Sequence, residues 1–237
     1  MALPGAASTA HGDRHPEKPE LDRQQERRVF EAAGRRVAAA VSNLPGESTT
    51  EALAAVAAQP LLGAFVSLKR SGQLRSCCGF IGQSVPLGEA IDQAAFRAAK
   101  EDPRFPPISP TELPHLEMEV WLLWGLKPVE AKGGERAGAV TIGRHGLQIA
   151  MGNRRGLLLP GVATEHKMDA VAFLEAVCRK AGLPGDAWKK DDATLMTFEG
   201  YAIEGRLADV NQAGETPVPA GGPDADQVAE LADFARQ

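Results

Sequence analysis

The sequence predicts an α+β fold. Segments with apolar residues at helical spacing are separated from strand-like segments, and the strands follow one another through short turns as hairpins. A regular strand–helix–strand rhythm, which would indicate a parallel sheet, is missing from the pattern. The chain has 237 residues with 43% apolar and 24% charged content, so it can bury a sizeable core.

Four segments are predicted to be helices. Ser48 and Glu51 form a capping-box pattern, and Asp169 stands in a capping position before an apolar run. Pro45-Gly46 is expected to end the first helix, because proline and glycine interrupt helices. The predicted helices are residues 22–44, 48–59, 87–101 and 169–181.

The strands are predicted from alternation and from turn residues. Ser71-Gly72 is a two-residue turn between residues 64–70 and 73–80, and residues 143–146 are expected to join a second hairpin. The predicted strands are residues 64–70, 73–80, 116–124, 140–142, 147–150 and 194–203. Because side chains alternate along a strand, Arg75, Cys77 and Gly79 are expected to share one face.

Both ends of the chain lack apolar periodicity. Residues 1–20 mix proline, glycine, histidine and charge, and we expect a disordered tail there. Residues 206–237 are rich in proline and glycine and end in a short amphipathic piece, so a second tail is expected. The folded region is then 21–205.

Composition excludes several classes of function. A net charge of −5 and a pI near 5.6 disfavour a general nucleic-acid surface. The sequence contains no apolar run of about 20 residues and does not begin like a signal peptide, so we expect neither a membrane span nor export. Three cysteines fit a reducing cytoplasm. Without a Cys-x-x-Cys or Cys/His cluster, neither a metal nor another cofactor is predicted.

Cys77 is the candidate nucleophile or redox thiol. A guanidinium lowers the pKa of a nearby thiol, and Arg75 lies two residues away on the same predicted face. The alternative is an inert buried cysteine, which is common in protein cores. The adjacent Cys78 is expected to point to the opposite face, which disfavours a functional disulfide.

Other polar residues have both structural and functional interpretations. Asp102 and Arg104 flank a proline on a stiff loop and are expected to form an ion pair, while Arg104 could also hold an anionic group. Glu119, beside Trp121 on one strand face, is a candidate general base or a solvated acid. His145 is a candidate base for Cys77. Arg155, with its basic neighbours, could bind phosphate, although a solvated turn is the simpler interpretation.

Six blocks together resemble the AMMECR family. They are residues 74–79 (Leu-Arg-Ser-Cys-Cys-Gly), 102–107 (Asp-Pro-Arg-Phe-Pro-Pro), 116–120, 142–147, 155–160 and 178–184. The resemblance extends from about Arg28 to about Glu204. It implies an α+β fold of two lobes: a larger lobe of helices on an antiparallel sheet, and a smaller β-rich lobe, with a cleft between them.

The chain departs from the family pattern at four positions. Ser76 replaces a glycine, Cys78 replaces an isoleucine, His145 replaces an aspartate, and Gly161 stands where glutamine is common. Arg75, Cys77 and Gly79 keep the pattern, so the resemblance implies that their face is the functional one and makes Gly79 a candidate ligand-binding position.

Three functions are open at this point. The favoured one is a ligand-binding or partner module that acts with a Memo-type protein and a radical S-adenosylmethionine protein, because the resemblance implies those partners. The second is a cleft enzyme that uses Cys77, assisted by Arg75. The third, regulation by binding nucleic acid, is disfavoured by the acidic charge.

Overall fold

One antiparallel sheet of six strands organises the protein, in the order β2-β1-β3-β6-β4-β5. A computed structural model describes residues 16–212. The strands are β1 (Pro60–Arg70), β2 (Gln73–Pro86), β3 (Leu116–Pro128), β4 (His145–Met151), β5 (Arg154–Leu158) and β6 (Thr194–Arg206). The helices are α1 (Arg23–Val41), α2 (Thr49–Leu53), α3 (Leu87–Lys100), α4 (Pro160–Glu165), α5 (Ala170–Lys180) and α6 (Leu207–Gln212). Together they confirm the α+β class.

Local sequence signals explain where the main helices begin. Asp22 accepts a hydrogen bond from the backbone N–H of Gln25, and the Gln25 side chain accepts one from the N–H of Asp22. This reciprocal cap satisfies two of the amides that a helix leaves unpaired at its start. Ser48 and Asp169 cap α2 and α5 through their side-chain oxygens.

Two apolar cores divide the molecule into two lobes that share the sheet. In the larger lobe α1, α2, α3 and α6 cover one face of β1–β3, around buried residues such as Val37, Ile91 and Leu122. In the smaller lobe α5 packs on β4 and β5, around Phe173 and Trp188. A third apolar cluster lies between the lobes and contains Leu62, Trp121, Leu123, Leu126, Leu159 and Phe198.

The chain is packed beyond both of the expected tail boundaries. The carbonyl of Pro16 accepts a hydrogen bond from the N–H of Gly125 at 3.1 Å, which holds the segment before α1 against β3. After β6 the chain continues into α6, whose Leu207 and Val210 are buried against α1. Their apolar side chains provide the burial that keeps this segment on the core. The disorder expected for 1–15 and 213–237 concerns residues outside the described range.

The second predicted hairpin was wrong. Residues 140–142 form no strand; instead Thr141 accepts the N–H of His145 in a tight turn, and β4 begins at His145. The actual hairpin joins β4 to β5 through Gly152-Asn153, where Gly152 has a φ of 59°. Glycine adopts this left-handed conformation without steric cost, which places the turn there.

Within residues 16–212, each helix is too short or too polar to cross a lipid bilayer.

Candidate functional site

A cleft of about 680 Å³ lies between the two lobes. Strands β1, β2 and β3 of the larger lobe form one wall, and β5, α4 and the end of α5 form the other. Its size lies in the range of small-molecule sites, about 300–1,000 Å³. The apolar lining consists of Phe65, Leu74, Trp121, Leu157, Leu158, Leu159 and Val162.

A row of three polar side chains crosses the floor of the cleft. Ser67 on β1 pairs with Cys77 on β2 and with Glu119 on β3. The Ser67 hydroxyl donates a hydrogen bond to the Cys77 sulfur at 3.2 Å. One row further along the strands, Phe65 pairs with Trp121. Alternation therefore places the thiol, the hydroxyl and the carboxylate in the row next to an aromatic pair. Both rows lie on the same face of the sheet, which faces the second lobe.

Arg75 does not face Cys77, contrary to the prediction from alternation. The strand pairing changes register between Leu68 and Lys69, since Lys69 pairs with Leu74 whereas Leu68 pairs with Ser76. This bulge leaves Arg75 as an extra residue on β2, and an extra residue breaks the two-residue period.

The guanidinium of Arg75 is committed to an ion pair outside the cleft. It donates to both carboxylate oxygens of Glu112, at 2.8 and 3.2 Å, and to the carbonyl of Pro107. The Arg75 side chain holds the pKa of Glu112 down to about 2, with help from the N–H of Ser109. Arg75 therefore fixes the loop before β3 and does not assist the thiol.

Cys77 is partly buried in the cleft wall, and burial raises the pKa of its thiol above the usual 9.0. The Ser67 hydrogen bond and the charges of Arg104 and Lys180 act in the opposite direction but do not outweigh burial. Cys77 thus rests as a neutral thiol. Cys78 packs in the core of the larger lobe, on the face opposite Cys77 as expected, and Cys178 lies in the core of the smaller lobe.

Asp102 and Arg104 close the outer edge of β2 at Cys77. The buried Asp102 carboxylate accepts the backbone N–H of Cys77 at 2.8 Å, and Arg104 donates to the Cys77 carbonyl at 3.0 Å. The two side chains also pair with each other at 2.7 Å. Arg104 holds the pKa of Asp102 well below its ordinary value, although burial opposes this shift. The predicted ion pair is confirmed, and it anchors the motif.

Gly79 serves packing and does not line the cleft. A Cβ at this position would overlap the carbonyl oxygen of Ala64 and lie 2.6 Å from the Cα of Phe65. Its own carbonyl accepts a hydrogen bond from Arg97 on α3. The motif requires glycine here because β1 approaches too closely for a side chain.

Glu119 belongs to an ion-pair group that spans the two lobes. Lys69 on β1 pairs with Glu119 on β3 and, at 2.8 Å, with Glu165 at the end of α4. Burial opposes the charged form of Lys69, but the two carboxylates together raise its pKa. The indole N–H of Trp121 also donates to Glu119, at 3.2 Å. These three charged side chains line one part of the cleft and connect its two walls.

His145 does not lie in the cleft, so the proposed pairing with Cys77 is absent. Its Nδ1 accepts the backbone N–H of Thr141 at 3.1 Å, and burial lowers its pKa, with Glu199 and Arg144 as its charged neighbours. Among residues 16–212, the histidine that lines the cleft is His166, which follows α4.

Arg155 lies on β5, where it pairs with Ala150, rather than in a turn, and its side chain lines the cleft. Other lining residues were not predicted, because strand register and helix packing bring them together from distant segments. They are Ser67, Lys69, Glu165, His166 and Lys180. Alternation with Phe65 could have identified Ser67 and Lys69; no local signal marks the other three.

The fold and the cleft define an α+β protein of two lobes on a shared antiparallel sheet, with a ligand-sized cavity between the lobes. The chain belongs to the AMMECR1 family, whose pattern matches residues 19–203. The resemblance drawn from the sequence blocks is thereby confirmed.

Archaeal proteins are among its relatives. A protein of Methanosarcina acetivorans is 44% identical over 142 residues, which cover 60% of this chain and 71% of the relative. A protein of Aeropyrum pernix is 42% identical over 139 residues, covering 57% of this chain and 60% of the relative. The crystal structure of an uncharacterized protein from Pyrococcus horikoshii superimposes with a TM-score of 0.71 at 32% identity, covering 79% of this chain and 94% of that one.

Proposed function

We propose that the protein is a ligand-binding module that holds a small molecule in the cleft between its lobes. The observation that carries this proposal is the cleft itself: a cavity of about 680 Å³ with an apolar lining and a few convergent polar groups. Ligand sites usually combine these two properties, since apolar walls supply affinity and a few polar groups fix orientation.

The arrangement favours binding over catalysis by Cys77. Nucleophilic cysteines need a thiolate at neutral pH and a base within reach. Here burial raises the pKa of Cys77, Arg75 is bound to Glu112, and His145 lies elsewhere. Catalysis by Cys77 stays a prediction, and the pH profile described in the Discussion tests it.

Fragment binding followed by NMR tests the proposal. Binders should perturb amide resonances on β2, β5 and α4 in the wild-type protein. In Gly161→Leu the same binders should weaken about tenfold or more, roughly 1.4 kcal/mol. A Cβ at 161 would lie 2.9 Å from the Trp121 ring, so the larger side chain must displace this wall of the cleft. Gly134→Leu is the control, because a Cβ at 134 meets open space.

A library in which no fragment perturbs the cleft would contradict the proposal, and so would binders that ignore Gly161→Leu. Thermal unfolding of both variants shows whether the fold is retained.

The partners proposed for the module are a Memo-type protein and a radical S-adenosylmethionine protein, and their support is the family resemblance. Co-purification of tagged protein with both candidates, compared with the Gly161→Leu variant, tests this. Loss of the complex in the variant would connect the cleft to assembly; no complex with either candidate would contradict the proposed partnership.

Three unpaired cysteines support a cytoplasmic location.

A further inference from the structure

We propose that one end of the cleft binds the carboxylate or phosphate group of the ligand, through Arg155 and Lys180 of the smaller lobe facing Arg104 of the larger lobe. We call these three residues the anion subsite. The inference rests on the proposed function and specifies the class of ligand: a small anion whose apolar body lies against Phe65 and Trp121.

Close packing of β5 on α5 brings together the two backbone segments that carry the smaller-lobe cations. A Cβ on Gly156 would lie 2.7 Å from the carbonyl oxygen of Val177 and 2.8 Å from the N of Ala181. The two backbones are therefore almost in contact at this point. Arg155 directly precedes Gly156, Lys180 directly precedes Ala181, and both cationic side chains line the cleft.

Arg104 lines the cleft from the other lobe. Its Nε and Nη2 bind Asp102, and Nη2 also binds the Cys77 carbonyl, so the guanidinium is held in a fixed orientation. The Arg104 side chain is still 40% exposed. Arg104, Lys180 and Cys77 all line the cleft, so cations of both lobes border the same cavity as the thiol.

The charges around the subsite are unbalanced. Lys69 is neutralised by Glu119 and Glu165 in the other part of the cleft, and Arg104 is neutralised by Asp102. Within residues 16–212, neither Arg155 nor Lys180 has a carboxylate partner within ion-pair distance. In a protein with a net charge of −5, this leaves a local positive site.

Two unpaired cations and a fixed guanidinium suit a singly or doubly charged oxyanion. Arginine binds planar carboxylates and phosphates with two parallel hydrogen bonds, while lysine contributes a point charge. The adjoining Phe65 and Trp121 offer aromatic surface that suits a ring or alkyl chain. A free inorganic anion would leave this surface unused.

Three matched probes test the inference by NMR titration: phenyl phosphate, phenylacetate and neutral benzyl alcohol. All three carry a phenyl ring, so differences in affinity report the charged group. We expect at least one anionic probe to bind about tenfold more tightly than benzyl alcohol, with perturbed resonances on β2 and β5. The stronger anion identifies phosphate or carboxylate as the preferred group.

Charge-removing variants locate the effect. Arg155→Gln and Lys180→Gln should each weaken the anionic probe about tenfold and leave benzyl alcohol unchanged. Arg179→Gln is the matched control, because Arg179 is exposed next to Lys180 and lies outside the cleft lining. All three positions are exposed, so the variants should fold, and thermal unfolding verifies this.

The possible failures are distinguishable. If benzyl alcohol binds in the cleft and neither anion binds more tightly, the anion subsite is wrong while the ligand-binding module stands. An equal loss in Arg179→Gln would also overturn the subsite, since general surface charge would explain the affinity. If no probe perturbs the cleft at about 10 mM, where even millimolar affinities would show, the subsite falls, and the fragment screen decides the wider proposal independently.

Discussion

The carboxylate of Asp102 accepts the backbone N–H of Cys77 at 2.8 Å, and this hydrogen bond holds the segment at 74–79 against the loop at 102–107. Arg104 completes the contact by donating to the carbonyl of the same Cys77. An exposed strand edge would otherwise offer these groups to another chain. The blocks at 74–79 and 102–107, separate in sequence, therefore form one structural unit beside the cleft.

Removing the charge of Asp102 should destabilise the fold. Asp102→Asn leaves Arg104 without its partner and weakens the acceptor for Cys77, so the free energy of unfolding should fall by about 2 kcal/mol or more. Urea denaturation measures the change. Asp191→Asn, at an exposed position, is the control and should stay within about 0.5 kcal/mol of wild type. Equal stability of the two variants would show that the Asp102 contact contributes nothing.

Acid should destabilise the protein partly through Glu112. The folded pKa of Glu112 is about 2, below its ordinary 4.5, because Arg75 binds the carboxylate. An unfolded chain therefore takes up this proton first, and the stabilisation present above pH 4.5 is lost as pH falls towards 2. Urea denaturation from about pH 6 to about pH 3 should show a shallower loss in Glu112→Gln than in wild type. Parallel curves would contradict the account.

Cys77 should react slowly at neutral pH and independently of Arg75. Its alkylation rate, followed by mass spectrometry, should rise with a midpoint above 9.0, since burial raises the pKa of the thiol. Arg75→Gln should leave this midpoint unchanged, whereas Lys180→Gln should raise it, because Lys180 favours the thiolate. Rapid labelling of Cys77 near pH 7 would contradict this prediction. It would show that Cys77 is a thiolate at neutral pH, as in activated cysteines, and would support its role as a nucleophile.

Gly79 should tolerate no side chain. Gly79→Ala places a Cβ into the backbone of β1 and should cost about 3 kcal/mol or prevent folding, in line with other overpacked sites. Gly134→Ala makes the same chemical change where a Cβ meets open space and where φ is ordinary. Urea denaturation of the pair isolates the packing effect. A stable Gly79→Ala protein would show that β1 and β2 can separate.

Strong local signals made much of the fold predictable. On β3, alternation correctly placed Glu119 and Trp121 on one strand face, and both line the cleft. The Ser71-Gly72 turn was also correct, and both residues have positive φ, at 50° and 74°. Caps at Asp169 and Ser48 marked helix starts, because short polar side chains compete for the first amides of a helix.

The errors came from features that depend on tertiary context. Continuing the register of the first hairpin from its turn would pair Ser67 with Ser76; the bulge at Arg75 shifts the partner to Cys77. A bulge has no unique sequence signature, so alternation assigned Arg75 to the wrong face. Lys180 lies at the end of an ordinary amphipathic helix, and its place in the cleft depends on how α5 packs against Gly156.

A crystal structure of the protein with its tightest anionic probe tests the central claim most directly. The account predicts density between the lobes, with the apolar part of the probe against Trp121 and its charged group within hydrogen-bonding distance of Arg155 or Lys180. An empty cleft, with the probe bound elsewhere at a concentration that saturates the protein in solution, would contradict it.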